Sequence, residues 1–247
     1  MKPALRLLTA SAGDAVLDTA LSSALLARAP GEPVPAFRLS HPPQTVSFGR
    51  LDRLLPGFPA ATAAAARQGF APVLRVGGGR AAAVHEQAIL FGLAGPASET
   101  TTERFVAMAD LVRSALGSLG IAAAVGELPG EYCPGAWSLH AGGVKLAGID
   151  QRVTRGGAWT EGFVMVRGGD AVRRVLEPVY AALGVEWDPR TAGSVADLVP
   201  GVTVAAAAAA LRDELASRYA VREVPADPAL LAHARELRAR HEPQPPG

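Results

Sequence analysis

The sequence predicts an α/β (α+β) fold built on a mixed, largely antiparallel β-sheet flanked by helices. Three observations carry this expectation. Apolar residues make up 49% of the chain and charged residues 19%, so a substantial core can be buried and wholesale disorder is excluded. The strand-like runs are short and pair as hairpins, with few of the long crossovers that parallel βαβ units need. The 27 Gly and 20 Pro residues punctuate the chain with turns between compact elements.

Apolar residues at helical spacing (Val16, Leu17, Ala20, Leu21, Ala24, Leu25) predict a helix over Ala15–Arg28. Asp14 is its N-cap and Pro30–Gly31 its stop. Ala36–Leu39 and Thr45–Phe48 read as strands around the turn-rich His41–Gln44. Pro59–Gln68 is an Ala-rich helix closed by Gly69. Pro72–Val76 is a strand running into Gly77–Gly79, and Ala81–His85 with Ala88–Leu93 forms a further strand pair. Ser98 caps a long helix over Thr100–Leu119, ended by Gly120, and Ile121–Gly126 is the next strand. Gly126–Gly135 is a loop by composition. Trp137–His140 and Val144–Ile149 make a hairpin about Ala141–Gly143, and Ala158–Val166 alternates as a strand after the turn at Arg155–Gly157. Helices follow at Val172–Leu183, Val202–Arg218 and Asp227–Arg240. The closing HEPQPPG reads as a disordered tail. Without an internal repeat or long linker, a single domain is expected over residues 1–240, with a tail at 241–247.

The 24 basic and 23 acidic residues nearly cancel, and no basic stripe is visible, so no nucleic-acid partner is expected. The longest apolar run, Val202–Leu211, is too short to span a bilayer, and Asp14 and Asp18 interrupt any apolar signal core. No membrane partner is therefore expected, and the location is read as cytoplasmic. A lone cysteine, Cys133, cannot form an internal disulfide and fits a reducing compartment. Twenty-two Arg stand against two Lys, Lys2 and Lys145, so a mid-chain lysine is the exception in this composition.

Four segments could carry chemistry. Gly77–Gly79 follows a strand, and consecutive glycines let backbone approach a ligand, but a plain glycine bend reads equally well. The spacing matches neither a P-loop nor GxGxxG. Arg75, just before the glycines, can hold a carboxylate or carbonyl, or simply face solvent. Cys133 lies in a Gly/Pro loop rather than an apolar run, with Lys145 twelve positions on; local sequence leaves nucleophile and incidental thiol both open. His85, at a strand end, either lines a pocket or is a satisfied strand-end histidine. The histidines and Cys133 match no zinc spacing, so no metal site is expected.

Longer motifs resemble a known family. LRLLTASAGDAVLDTALSSALL is similar to the first strand and helix of the lipoate/octanoate transferase and ligase superfamily, which shares its fold with the biotin protein ligase catalytic domain. AFRLSHPPQTVSFGR resembles its Gly-Arg strand pair, and RVGGGRAAAVHE its Arg, Gly-rich, His motif at the acyl chain. GGVKLAGIDQR resembles its Lys-x-x-Gly loop, placing Lys145 and Gly148. GEYCPGAWSLHAGGVKLAGIDQRV is most similar to the cysteine-dependent branch, the octanoyl-[glycine cleavage H protein]:protein N-octanoyltransferases. The glycine segment departs from the ligases, with Val76-Gly77 where they carry Ser-Gly, and Asp150 stands where ligases often have a small residue. The ligases' additional C-terminal domain is not evident after Leu198.

The resemblance implies a biotin/lipoate protein ligase catalytic-domain-like fold and a cysteine-dependent acyltransferase. It would move an octanoyl or lipoyl group between lysines of lipoyl domains through a thioester on Cys133. Lys145 would favour the thiolate and bind the acyl carbonyl. Arg75, Gly77, Gly78, Gly79, His85 and Gly148 would shape the acyl site. The expected partners are the glycine cleavage H protein and the E2 subunits of 2-oxoacid dehydrogenases. Transfer needs no cofactor. ATP and Mg belong to an alternative, an ATP-dependent lipoate–protein ligase; a non-catalytic acyl-carrier-binding protein is the third reading.

Overall fold

The structure, a computed structural model, describes residues 1–243. It begins with strand β1 (Ala4–Leu8) and helix α1 (Ala15–Arg28), whose Asp14 cap accepts the Leu17 N–H at 2.9 Å. Strands β2 (Ala36–Ser40) and β3 (Thr45–Phe48) follow, then the short α2 (Arg50–Arg53), α3 (Phe58–Arg67), β4 (Ala71–Leu74), β5 (Ala82–Val84) and β6 (Ala88–Pro96). Helix α4 (Thr101–Ser118) is capped by Thr100 rather than Ser98, because Glu103 closes a reciprocal box with Thr100. Next come β7 (Ala124–Val125), β8 (Leu139–Ala141), β9 (Val144–Thr154), β10 (Gly157–Met165), α5 (Gly169–Leu183), α6 (Val195–Leu198), α7 (Val204–Arg218), β11 (Ala220–Glu223) and α8 (Pro228–Leu237).

Eight strands form one sheet in the order β11-β1-β2-β6-β10-β9-β8-β7. The β1–β2 and β1–β11 pairs are parallel and the rest antiparallel, so the sheet is mixed and largely antiparallel as expected. A smaller sheet, β4-β3-β5, packs beside it. The sheet's alternation divides its residues between two cores. Leu5, Leu7, Phe37, Leu39, Ile89 and Phe91 bury against α4 and α7 on one face. Ala36, Ala94 and Trp159 face α1 and α8 on the other. The small sheet, α3 and α5 build a third core around Phe48, Phe58, Leu176 and Tyr180.

Three local readings change. Arg75 and Val76 lie beyond β4, and Trp137 lies before β8; Arg75 and Trp137 face a cavity, while Val76 packs against the core beside α1 and α8. β11 was not anticipated, since AVRE is short, mostly exposed and sits at the sheet edge. His241, assigned to a disordered tail, is buried: its ring lies 2.8 Å from Ser23 Oγ and 2.7 Å from the Leu74 carbonyl, and its own carbonyl accepts the Leu74 N–H. The last four residues of that tail lie outside the described residues.

Candidate active site

A cavity of about 450 Å³ opens over the α1 face of the large sheet, walled by the small sheet, by Arg75, Gly78 and Gly79, and by the loop that carries Cys133. Cys133 has φ 44°, a left-handed backbone that no other non-glycine among the described residues adopts. The surrounding structure fixes it there. The Cys133 N–H donates to Tyr180 Oη at 2.7 Å, and that hydroxyl donates to the Ala81 carbonyl at 2.9 Å. Glu131, fully buried, accepts from the Gly135 N–H (3.1 Å) and the Ser138 hydroxyl (2.7 Å), folding the loop about its carboxylate.

Lys145, on β9, is 1% exposed. Its ammonium donates to the carbonyls of Tyr132 (3.0 Å) and Cys133 (2.8 Å) and lies 3.2 Å from Glu131 Oε2 in a coulombic pair. It also lies 4.9 Å from the Tyr132 ring centre. Its hydrogen bonds thus go to the loop backbone and not to the sulfur. Among the described residues, the group hydrogen-bonded to Cys133 Sγ is Arg75, through Nη2 at 3.5 Å. Arg75 Nη1 reaches Asp150 Oδ2 at 3.4 Å, so one guanidinium joins the sulfur to a carboxylate.

The three glycines serve different purposes. Gly79 has φ +99°, and a Cβ there would stand 2.7 Å from Cys133 Sγ. A Cβ on Gly77 would meet Asp150 Oδ1 at 1.5 Å, so Gly77 makes room for that carboxyl and is not itself on the cavity wall. Gly78 lines the cavity and has open space at its Cβ position. Gly148 lines it too, close under Lys145 and Phe163. His85 does not reach the cavity. It is buried at the β5–β6 turn, where Nδ1 accepts the Gln87 N–H (3.3 Å), leaving Nε2 to donate to the Gly168 carbonyl (3.2 Å). Its strand-end position satisfies it locally. Trp137 lines the cavity and stacks on Phe105 at 5.2 Å.

Sequence reading missed two carboxyl groups. Asp150 and Glu161 are direct cross-strand partners on β9 and β10, and both line the cavity. Burial pushes Asp150 up to about 6, with Arg75 pulling the other way. Burial pushes Glu161 up to about 8, and the neighbouring Asp150 charge adds to it. The signal was findable: Glu161 sits between Trp159 and Phe163 on the inward register of an apolar strand. Among the described residues, no group of three or more His, Cys, Asp or Glu is arranged to hold a metal ion.

The model of the lipoyl protein ligase A/B catalytic domain matches residues 14–216. The octanoyl-[GcvH]:protein N-octanoyltransferase of Geobacillus kaustophilus is 33% identical over 161 residues, covering 64% of this chain and 56% of the relative. The lipoyl-[GcvH]:protein N-lipoyltransferase of Listeria monocytogenes is 26% identical over 169 residues, covering 63% and 61%. The chain thus spans little more than half the length of these curated relatives. A lipoate-protein ligase A bound with ATP superposes with TM-score 0.75 at 20% identity over 97% of this chain and 95% of the other. The bi-partite lipoate protein ligase of Thermoplasma acidophilum superposes with TM-score 0.74 at 18% identity, covering 96% and 93%. At those identities the superpositions speak for the fold, and the match over residues 14–216 decides the family: the chain belongs to the lipoyl protein ligase A/B catalytic domain family.

Proposed function

We propose that the protein is a cysteine-dependent acyltransferase that moves an octanoyl or lipoyl group between lysines of lipoyl domains through a thioester on Cys133. The observation that carries this reading is the placement of Cys133 Sγ at a mostly apolar cavity, on a clamped loop, against the Arg75 guanidinium. A cysteine held in left-handed backbone by three separate contacts is a positioned group rather than a packing residue. Arg75 stabilises negative charge on sulfur, and Gly78, Gly79, Gly148, Leu90 and Phe163 supply the wall for an acyl chain. The six methylenes by which octanoyl exceeds acetyl, buried at roughly 0.8 kcal/mol each, give several kcal/mol of preference over acetyl. The relatives named for octanoyl- or lipoyl-[GcvH] transfer support the same reading with the glycine cleavage H protein as a partner; E2 lipoyl domains are the further acceptors in this reading, and the Thermoplasma ligase is described with an E2 lipoyl domain.

On this account Lys145 is a positioning residue. It binds the carbonyls on either side of the Cys133 Cα and so holds the loop that presents the sulfur. The acyl group is the only non-protein component the reaction requires, and the site is read as cytoplasmic. No helix among the described residues is long and apolar enough to cross a membrane. The test is intact-mass analysis after mixing with octanoylated carrier, without nucleotide. An octanoyl adduct on wild-type protein, missing in Cys133→Ala, supports transfer. Carrier acylation that needs ATP and free acid and survives Cys133→Ala supports the ligase instead.

A further inference from the structure

Moving an acyl group from an amide to a thiol poses a proton problem that an activated acyl group does not. Cys133 Sγ forms a bond to the acyl carbon, the C–N bond breaks, and the departing lysine nitrogen leaves as a neutral amine only by gaining a proton. In the second half the incoming amine forms a C–N bond and loses a proton, while the C–S bond electrons return to sulfur. One proton given and recovered balances both halves without a co-reactant.

The cavity offers few groups able to do this. Asp18 is tied to Arg38 at 2.5 Å and accepts the Ala12 N–H. The Arg38 and Arg75 guanidiniums are held by Asp18 and the Ala10 carbonyl and by Asp150 and Cys133 Sγ, and the Lys145 ammonium is spent on two carbonyls and Glu131. His85 lies outside the cavity. That leaves Asp150 and Glu161. Sheet register sets them side by side, in one row with Gly92 and Arg38. Asp150 Oδ2 shares the Arg75 guanidinium with the nucleophilic sulfur, and Asp150 Oδ1 is buried with no hydrogen-bond partner. Glu161 forms no ion pair among the described residues, although Arg38 stands in its row, because that guanidinium is fully engaged with Asp18, Ser22 and the Ala10 carbonyl.

We propose that Asp150 and Glu161 act as one proton-holding pair, protonating the departing lysine nitrogen of the donor amide and taking the proton back from the incoming lysine. The proposal rests on the Cys133 transfer reading. It is consistent with the raised affinity of both groups for protons, Asp150 at about 6 and Glu161 at about 8, which leaves one proton on the pair near neutrality.

The experiment measures single-turnover acylation of Cys133 by intact mass, with two acyl sources. One is the glycine cleavage H protein carrying N-octanoyl-lysine; the other is p-nitrophenyl octanoate, whose leaving group needs no proton. For Glu161→Gln we expect the amide rate to fall about 100-fold, with the ester rate changed by no more than roughly threefold. Asp150→Asn should show the same selectivity for the amide. The wild-type amide rate should decline as pH rises through about 8, and the Glu161→Gln rate should not. Equal losses with both acyl sources, or an undiminished amide rate in Glu161→Gln, overturn the proposal. A wild-type Cys133 that takes octanoyl from neither source overturns the transfer reading, and this one with it.

Discussion

Replacing Lys145 by Met should loosen the Cys133 loop and cost the whole fold several kcal/mol. The ammonium is the counter-charge of Glu131, whose side chain is 0% exposed, and the hydrogen-bond partner of two loop carbonyls. Removing one member of a buried ion pair costs about 3–5 kcal/mol, because the other charge is left without compensation. The orphaned carbonyls overlap with that term rather than adding in full. For a domain of this size each kcal/mol moves Tm by about 2–4 °C, so a fall of about 10 °C is expected. Urea unfolding gives the free energy, and the rate of iodoacetamide alkylation of Cys133 reports the loop. The double variant Lys145→Met with Glu131→Gln should recover much of the stability, because no buried charge is then left alone. It should not recover acyl transfer, because the Cys133 carbonyl has lost its anchor. Lys145→Arg keeps the charge but cannot fit a planar fork where a compact ammonium reaches two carbonyls, so transfer should stay impaired. A loss below about 1 kcal/mol in Lys145→Met, or no recovery in the double variant, would refute the clamp.

Three further outcomes are expected. Gly78→Val should fold normally, since its Cβ meets nothing within 4 Å, and should slow acylation by octanoyl more than alkylation by iodoacetamide; equal slowing of both rates would remove Gly78 from the acyl wall. Gly79→Ala should slow both reactions, because its Cβ would press on Sγ at 2.7 Å and its φ of +99° is strained for alanine; unchanged alkylation kinetics would contradict that contact. Asp150 and Glu161 have folded-state pKa values above their unfolded ones, so their stability contribution is present at about pH 4 and is lost as pH rises through about 6 and about 8. Urea unfolding from roughly pH 5 to pH 9 should show Glu161→Gln gaining about 1–3 kcal/mol on wild type, and parallel pH profiles would contradict the burial of Glu161.

Much of the fold was legible because it depends on patterns local in sequence. The α1 cap at Asp14, the paired strands and the glycine stops are all short-range signals. The β11 strand was not legible, since its pairing with β1 joins residues more than 200 positions apart and its four residues carry little apolar pattern. The site divides in the same way. Cys133, Arg75 and Lys145 stood out by type and loop context, and the structure brings all three to one cavity. Their division of labour did not, because it depends on which cation the fold turns toward sulfur. Composition marked Lys145 as unusual, but only the three-dimensional path of the loop shows its ammonium spent on carbonyls. Asp150 stood out in sequence only as a departure from the ligases and Glu161 not at all, until register places them side by side and Arg75 reaches Asp150.

Transfer between proteins by this route requires Cys133 to carry the acyl group. The most direct measurement is time-resolved intact mass of the protein mixed with N-octanoyl-lysine carrier, free of nucleotide, followed by addition of an unmodified lipoyl domain. An octanoyl mass on Cys133 should rise before the second addition and pass to the lipoyl domain after it, with neither event in Cys133→Ala. Octanoyl reaching the lipoyl domain in Cys133→Ala at the wild-type rate would contradict this route.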